Sequence, residues 1–400
     1  MKKGRATLLR SAAEVQRASR GWHNCSRVEA QLGPLLPLFE RERAAGNALA
    51  LGVMVQTEGS TYRKPGALLA VASDGRYAGL LSGGCLEGDL AAHARQVIDT
   101  GTARLVRYDL RGENDLLWGL GVGCEGAMQI LLLRVGPECA WQPLAHLSAA
   151  LESHSAAAFG AVIESSREDL PLGALALPEE ALVTAPALRS AAVRAALVAS
   201  VAHGEVSLLT APAGDWTLFI APLGLPARIL LLGAGPDAAP VVDFATRLGW
   251  RVTLVDHRPA YAVPGHFPGA ERVLSVPAAE RLTETLDLAL FDAVVVMSHH
   301  LNSDLAYLRA LARTRIAYVG LLGPVARRER LLQSLGADAQ ALRPRLHAPV
   351  GLTLGGRSPE SVALGIVAQI HALVHGAPSG AAQAPRGTQA TTSCSNAHID

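Results

Sequence analysis

The chain has few aromatic residues, almost no net charge and no long hydrophobic run, and each shortage excludes a class of protein. Aromatic residues make up 4% of its 400 residues, and the net charge is +1 with no long basic block, so nucleic-acid binding is not indicated. No stretch reaches about 18 uninterrupted apolar residues, so a transmembrane helix is not expected. The basic start, residues 1–5, is not followed by the apolar segment of a signal peptide, which argues against secretion.

Cysteine is scarce as well, and its spacing is uninformative about disulfides. An odd number of widely separated cysteines without a CxxC pair favours neither a disulfide framework nor a structural zinc site. This usage predicts a reducing, cytoplasmic environment. The cysteines are Cys25, Cys85, Cys124, Cys139 and Cys394.

Apolar residues, by contrast, make up 50% of the chain, which is enough for more than one hydrophobic core. We predict a flexible extension over 1–26, a first globular part over 27–226, a second over 227–376 and a disordered tail over 377–400. Residues 136–226 are harder to place, because they either complete the first part or bridge to the second.

The first globular part has a mixed α+β pattern. Asp74-Gly75 between two apolar runs predicts a β-hairpin, and a helix is predicted over 86–99. In the harder middle stretch, 180–202 is mostly helical in pattern. Strands are predicted over 48–56, 67–72, 77–81, 103–108, 127–134, 158–164 and 216–221.

The second globular part alternates strands and helices, which predicts a doubly wound parallel sheet of the Rossmann type. Its strands are expected over 228–232, 251–255, 272–276, 293–297 and 316–319. Gly233 and Gly235 follow the first of these strands and open a helix, and Asp256 lies 23 residues after Gly233. This is the context of a dinucleotide site, with glycines for close backbone approach and an acid for a ribose.

The most informative motif lies in the first part, where Gly83 and Gly84 immediately precede Cys85 and a predicted helix. Glycines permit close approach of a ligand, and a helix N-terminus favours the thiolate of a cysteine. The motif therefore offers an anion-binding nest beside a soft sulfur ligand, a combination that suits a phosphorylated cofactor with a soft metal or transferable sulfur.

Three further loops carry chemically useful residues. The loop 57–66, with Ser60 and Arg63, suits phosphate or carboxylate contact, although composition alone favours a solvated hairpin loop. The glycine-rich loop 119–126 contains Cys124, for which a small buried side chain is the alternative interpretation. In 298–304, two histidines and an aspartate suit a metal or proton transfer, unless Asn302 or Ser303 simply caps the next helix.

Taken together, these motifs resemble the XdhC/CoxI family, the xanthine dehydrogenase accessory proteins. The resemblance spans roughly residues 35–375, and its matching pieces occur in family order. Glu125 departs from it, because the family usually has glycine after the cysteine of this loop, and both terminal extensions lie outside the pattern. The matching pieces are 59–61, 63, 65–66, 82–88, 119–124, 231–235, 319–323 and 347–352.

The resemblance implies a chaperone rather than an enzyme. Such a protein binds molybdenum cofactor (molybdopterin) transiently, supports its sulfuration and inserts it into an apo xanthine dehydrogenase-type hydroxylase. It implies a cysteine desulfurase and cofactor-biosynthesis proteins as further partners, and it leaves open a homodimer. The resemblance implies no catalytic residue, and it implies that Cys85 is the metal ligand. The implied cofactor-binding residues are Ser60, Arg63, Gly83, Gly84, Cys85, Glu87, Cys124, Gly233, Gly235 and Asp256.

Two other functions remain open at the level of sequence. One is an NAD(P)-dependent oxidoreductase built on Gly233, Gly235 and Asp256, with His299 or His300 as the acid. The other is a redox-sensing or sulfur-carrier protein that uses Cys85 alone.

Overall fold

The computed structural model describes residues 32–84, 86–111, 126–179 and 183–375. The chain divides into two compact units between Leu225 and Pro226. No helix among these residues has the length and apolar character needed to cross a membrane.

The first unit contains two antiparallel sheets. The five-stranded sheet has the order β3-β2-β1-β5-β4, and the four-stranded sheet has the order β7-β6-β9-β8. The strands are β1 (Leu49–Gly59), β2 (Leu68–Ala72), β3 (Tyr77–Gly79), β4 (Arg104–Asp109), β5 (Gly126–Val135), β6 (Ala158–Ser165), β7 (Leu175–Ala176), β8 (Ser207–Thr210) and β9 (Trp216–Pro222). The helices are α1 (Leu36–Ala44), α2 (Glu87–Thr100), α3 (Leu144–Glu152) and α4 (Ala191–His203).

These elements form four layers, because both faces of each sheet are apolar. In β1, Leu51 and Val53 join the core between the two sheets, whereas Ala50 and Met54 face α2 on the other side. This alternation is the period of two that a strand imposes. The second sheet is covered on its far side by α4. The central core also contains side chains of β6 and β9, so residues 136–225 pack as part of the first unit.

The second unit is a parallel six-stranded sheet with the order β12-β11-β10-β13-β14-β15. One face packs on α5 and α10, and the other packs chiefly on α7, α8 and α9. The strand order reverses direction between β10 and β13, which is where ligands bind in open α/β sheets. Its strands are β10 (Arg228–Leu232), β11 (Arg251–Asp256), β12 (Arg272–Ser275), β13 (Ala293–Val296), β14 (Tyr318–Leu321) and β15 (Leu346–His347). Its helices are α5 (Ala239–Arg247), α6 (Leu282–Thr285), α7 (Leu301–Ala312), α8 (Val325–Leu335), α9 (Asp338–Leu342) and α10 (Pro359–Val374).

The predicted fold class is confirmed in both parts, and the differences are local. The strands β7, β8 and β15 were not predicted, and each has four residues or fewer, too few for periodicity to reveal. Of the stretch predicted to be mostly helical, 180–202, residues 180–182 lie outside the described residues, Pro186–Leu188 form a 3-10 turn and α4 begins at Ala191. The Ser190 hydroxyl caps α4 by accepting from the Val193 N–H.

Candidate functional site

The end of strand β1 and the beginning of strand β5 bring two of the predicted loops together. Gly59 pairs directly with Gly126, the last residue of the loop that contains Cys124. A side chain on Gly126 would collide with the Ser60 carbonyl oxygen and lie 2.7 Å from Thr61 Cγ2. Glycine at this position therefore lets the Ser60 loop lie against the strand.

The glycine loop that precedes Cys85 joins this group through Tyr62 of the 57–66 loop. Its ring lies beside Gly83, where an added Cβ would sit 3.7 Å from Tyr62 Cγ and Cδ2. Gly59, Ser60, Gly83 and Gly84 are all exposed. Residues about 20 apart in sequence, Tyr62 and Gly83, thus meet at the surface of the sheet, and we call the exposed residues of these two loops the motif surface.

Glu87 organises the loop that precedes helix α2. Its carboxylate is fully buried and accepts hydrogen bonds from the N–H groups of Leu81 (3.0 Å), Ser82 (2.9 Å) and Gly84 (3.0 Å) and from the Ser82 hydroxyl (2.5 Å). Burial alone raises the pKa of Glu87, but the bonds from Ser82 and Leu81 outweigh burial and hold the pKa below its usual value. The Ser82 hydroxyl also accepts from the Leu86 N–H at 2.9 Å, which closes the loop onto the helix.

This arrangement corrects two interpretations of the sequence. Three N–H groups of the glycine loop, those of Leu81, Ser82 and Gly84, bind the carboxylate of Glu87 and so do not contribute to an open anion nest. Glu87 itself does not face a cofactor: its carboxylate points into the loop, and its function at this site is to position Gly83 and Gly84. The sequence could not reveal this, because burial of an acid depends on tertiary packing.

The remaining predicted residues of the first unit differ in exposure, and two of them lie outside the described residues. Ser60 is exposed and Arg63 is half-buried. The Thr61 hydroxyl donates to the Arg63 carbonyl at 2.9 Å and accepts from Lys64 Nζ at 3.5 Å, so the loop around Arg63 is ordered by its own side chains. Cys85 and Cys124 lie outside the described residues, and their roles stay predictions.

Charged groups at the same end of the sheet are paired with one another. Arg111 donates to Asp109 and to Glu58, with the shortest bonds at 2.6 and 3.0 Å. The bonds from Arg111 hold the pKa of Asp109 well below its usual range. The Arg111 guanidinium is therefore held by two carboxylates of its own chain.

In the second unit, Gly233 is required by packing. It adopts a φ of +132°, and a side chain there would collide with the Met297 carbonyl oxygen and lie 2.7 Å from the Ser298 nitrogen. The loop after β10 therefore lies directly against the loop after β13, at the reversal of strand order. Gly235 begins the turn into α5, as predicted for this motif.

Asp256, the predicted ribose-binding acid, is fully buried and already saturated. It accepts the Ala234 N–H at 2.7 Å, the Arg258 N–H at 2.8 Å, and the Arg258 guanidinium through Nε at 3.0 Å and Nη2 at 2.9 Å. Burial opposes ionisation of Asp256, but these bonds outweigh burial and lower its pKa. The guanidinium also lies 3.8 Å from the centre of the Tyr261 ring. A ribose would have to displace Arg258, so this carboxylate does not fit the role expected from the sequence.

The crevice between β10 and β13 is bridged by the chain's own side chains. His299 Nε2 lies 2.8 Å from Asp237 Oδ2, which joins the loops that follow these two strands. His299 has a φ of +58°, an uncommon conformation for a residue with a side chain. His300 caps α7 by accepting from the Ser303 N–H, so the cap is His300 and not Asn302 or Ser303. Within the described ranges, no group of acids, histidines and cysteines is arranged to hold a metal ion.

Two other motifs of the second unit, 319–323 and 347–352, pack against each other. The Val350 N–H donates to the Leu321 carbonyl at 3.1 Å, and the Leu352 N–H donates to the Gly365 carbonyl at 3.0 Å. A side chain on Gly320 would lie 2.5 Å from Val350. These pieces join β14 and the last loop to α10, and their sequence reflects close backbone approach rather than a ligand site.

Comparison with known proteins gives one consistent family. The family described as "XdhC and CoxI family" matches residues 42–109, and the "XdhC Rossmann domain" matches residues 229–370. The chain is 33% identical, over 80% of its length and 91% of the relative, to a protein of Bacillus subtilis named as a probable xanthine dehydrogenase subunit. It is 24% identical, over 82% of its length and 83% of the relative, to the molybdenum cofactor insertion chaperone PaoD of Escherichia coli.

A solved structure agrees with these relatives. The crystal structure described as a xanthine dehydrogenase from Bacillus halodurans superposes with a TM-score of 0.70 at 28% identity. The match covers 88% of this chain and 98% of the solved chain, so both units of the fold are represented in it.

Proposed function

This chain belongs to the XdhC and CoxI family, and from that premise we propose that it is an accessory protein in the maturation of a xanthine dehydrogenase-type molybdenum hydroxylase. In this proposal it binds molybdenum cofactor as cargo, supports exchange of an oxo ligand of the metal for sulfur supplied by a partner such as a cysteine desulfurase, and inserts the cofactor into the apoenzyme. One relative is named as an insertion chaperone for this cofactor, which supports the general role.

The observation that carries the proposal is the contact between the 57–66 loop and the loop before helix α2 on the motif surface. Tyr62 lies there beside Gly83, and Gly126, at the start of β5, packs against Ser60. We propose that the phosphate of the cofactor is bound by the Arg63 guanidinium and the Ser60 hydroxyl, since the N–H groups of Ser82 and Gly84 are already bound to Glu87.

Cys85 follows Gly84 directly in the chain, and we propose that its thiolate binds the metal or relays sulfur. A carrier has to release its cargo, so a single soft ligand is more suitable than a closed cage of several. Cys124 is a second candidate ligand, two residues before Gly126.

The oxidoreductase alternative receives no support from the second unit. Both oxygens of the Asp256 carboxylate are bonded by Arg258, and the Asp237 carboxylate stands beside the turn where a dinucleotide would place its pyrophosphate. Like charges repel at that position, which disfavours a pyrophosphate. We propose that this unit stabilises the protein without binding NAD(P) in the usual way.

The test is anaerobic binding of molybdenum cofactor, followed by transfer to an apo molybdenum hydroxylase. We expect stoichiometric binding by the wild type, strongly weakened binding by Cys85→Ala, and unchanged binding by Cys139→Ala. Cys139 is a matched control because it is a free, half-buried cysteine whose thiol contacts only the backbone of its own turn. Wild-type protein that binds no cofactor but binds NADH would overturn the proposal, and full delivery by Cys85→Ala would remove Cys85 from it.

A further inference from the structure

Tyr62 is an aromatic side chain that the motif surface holds exposed. It is 61% exposed, although it lies in the middle of an ordered loop between two buried strands. The sequence motifs identify its neighbours Ser60, Thr61 and Arg63 and pass over Tyr62 itself. The ring lies where the 57–66 loop meets the glycine loop before helix α2.

The backbone that carries the ring is ordered on both sides of Tyr62. The Thr61 hydroxyl binds the Arg63 carbonyl at 2.9 Å, and the Gly66 N–H binds the Met54 carbonyl at 2.8 Å, which returns the chain to the sheet. Less ordering entropy is therefore lost when a ligand binds this ring than when it binds a freely rotating loop.

The neighbouring glycine keeps the space beside the ring open. Gly83 is exposed and has a φ of +88°, so a side chain there would be strained and would extend toward Tyr62 at 3.7 Å. Glu87 fixes this loop through the N–H groups on either side of Gly83, those of Ser82 and Gly84. The result is a flat ring beside bare backbone, with the hydroxyl of Ser60 and the guanidinium of Arg63 on the same loop.

We propose that Tyr62 is a positioning residue whose ring stacks on the planar pterin of the cargo cofactor. This inference rests on the proposed function and deepens it, because it assigns the pterin to a particular side chain. Stacking of a planar heterocycle on an aromatic ring tolerates rotation and is readily reversed, which suits a protein that must release its ligand. Arg63 would then hold the phosphate at the far end of the same ligand.

The experiment compares Tyr62→Ala, Tyr62→Phe and the control Tyr77→Ala. Tyr77 is 48% exposed and lies on β3 of the same sheet, away from the motif surface. The probes are molybdenum cofactor, released anaerobically from a molybdoenzyme, and pterin-6-carboxylate, whose fluorescence is quenched when it stacks on an aromatic ring. For Tyr62→Ala we expect affinity to fall about 5- to 100-fold with loss of quenching. Tyr62→Phe should retain both, and Tyr77→Ala should match the wild type.

The outcomes separate this inference from the proposed function. If the wild type and Tyr62→Ala bind the cofactor equally, stacking is wrong and the carrier function stands. If Tyr62→Phe loses as much affinity as Tyr62→Ala, the hydroxyl and not the ring is responsible, and stacking is again wrong. If the wild type binds neither probe, the proposed function fails and this inference fails with it. Thermal unfolding of each variant checks that lost binding does not reflect lost folding.

Discussion

Replacing Glu87 by glutamine is the sharpest test of how the motif surface is held together. The glutamine oxygen can still accept from Leu81 and Ser82, but its NH₂ group would face the N–H of Gly84, donor against donor. An unsatisfied buried donor costs about 1–3 kcal/mol, and loss of the negative charge weakens the surviving bonds by about 1 kcal/mol. We therefore expect Glu87→Gln to destabilise this loop by about 2–4 kcal/mol.

Hydrogen exchange of the peptide that covers residues 79–90 measures this loss locally. A change of that size corresponds to exchange that is roughly 30- to 900-fold faster. The matched control is Asp89→Asn, which also removes a carboxylate from the first turn of α2. The Asp89 side chain is 51% exposed and accepts from the Tyr108 hydroxyl, so we expect a change within about 0.5 kcal/mol.

The result that would refute the reasoning is exchange in Glu87→Gln as slow as in the wild type. If that variant kept its protection and lost cofactor binding, Glu87 would be a direct ligand and the positioning role would be wrong. If protection and binding fall together, while Asp89→Asn retains both, the loop conformation is what the cofactor requires.

Three further outcomes are expected. The folded-state pKa of Glu87 lies below 4.5, so the stabilisation by its carboxylate is complete above about pH 4.5 and is lost as the pH falls through that lower pKa. Hydrogen exchange of the loop, corrected for intrinsic rates, should therefore accelerate in acid for the wild type and should not depend on pH for Glu87→Gln. Gly126→Ala should lower the free energy of unfolding by about 1–3 kcal/mol in urea denaturation, because the new methyl group meets the Ser60 carbonyl. The control is Gly88→Ala, at an exposed position with open space around it, and equal stability of the two variants would contradict the packing argument. Arg258→Ala should lower the free energy of unfolding by about 1–3 kcal/mol in the same assay, because the buried Asp256 carboxylate loses hydrogen-bond donors. Titration of the wild type with NADH should give no saturable signal, and saturable binding would show that Arg258 moves aside for a ribose.

Parts of the candidate site were predictable because they depend on local sequence. Glycine beside Cys85, a helix from about residue 86 and an acid at the end of β11 are all predictable from spacing. Which groups those residues bind was not predictable. Glu87 and Asp256 are both fully buried and each binds an N–H of the adjacent glycine-rich loop. Both were interpreted as ligand contacts, because the sequence gives the residue type but not the direction of its side chain.

The sequence by itself determined the two-part organisation and the parallel sheet of the second unit, because hydrophobic periodicity and glycine placement are local properties. Only the tertiary structure decided that the described residues of 136–225 pack into the first unit, that Gly126 packs against Ser60 and that Gly83 lies beside Tyr62. Such contacts join residues that are far apart in the chain, and their geometry follows from strand pairing and burial. Tyr62 illustrates the difference: one aromatic residue in a loop carries no signal in sequence, and the role we propose for it rests on the glycine that lies beside its ring.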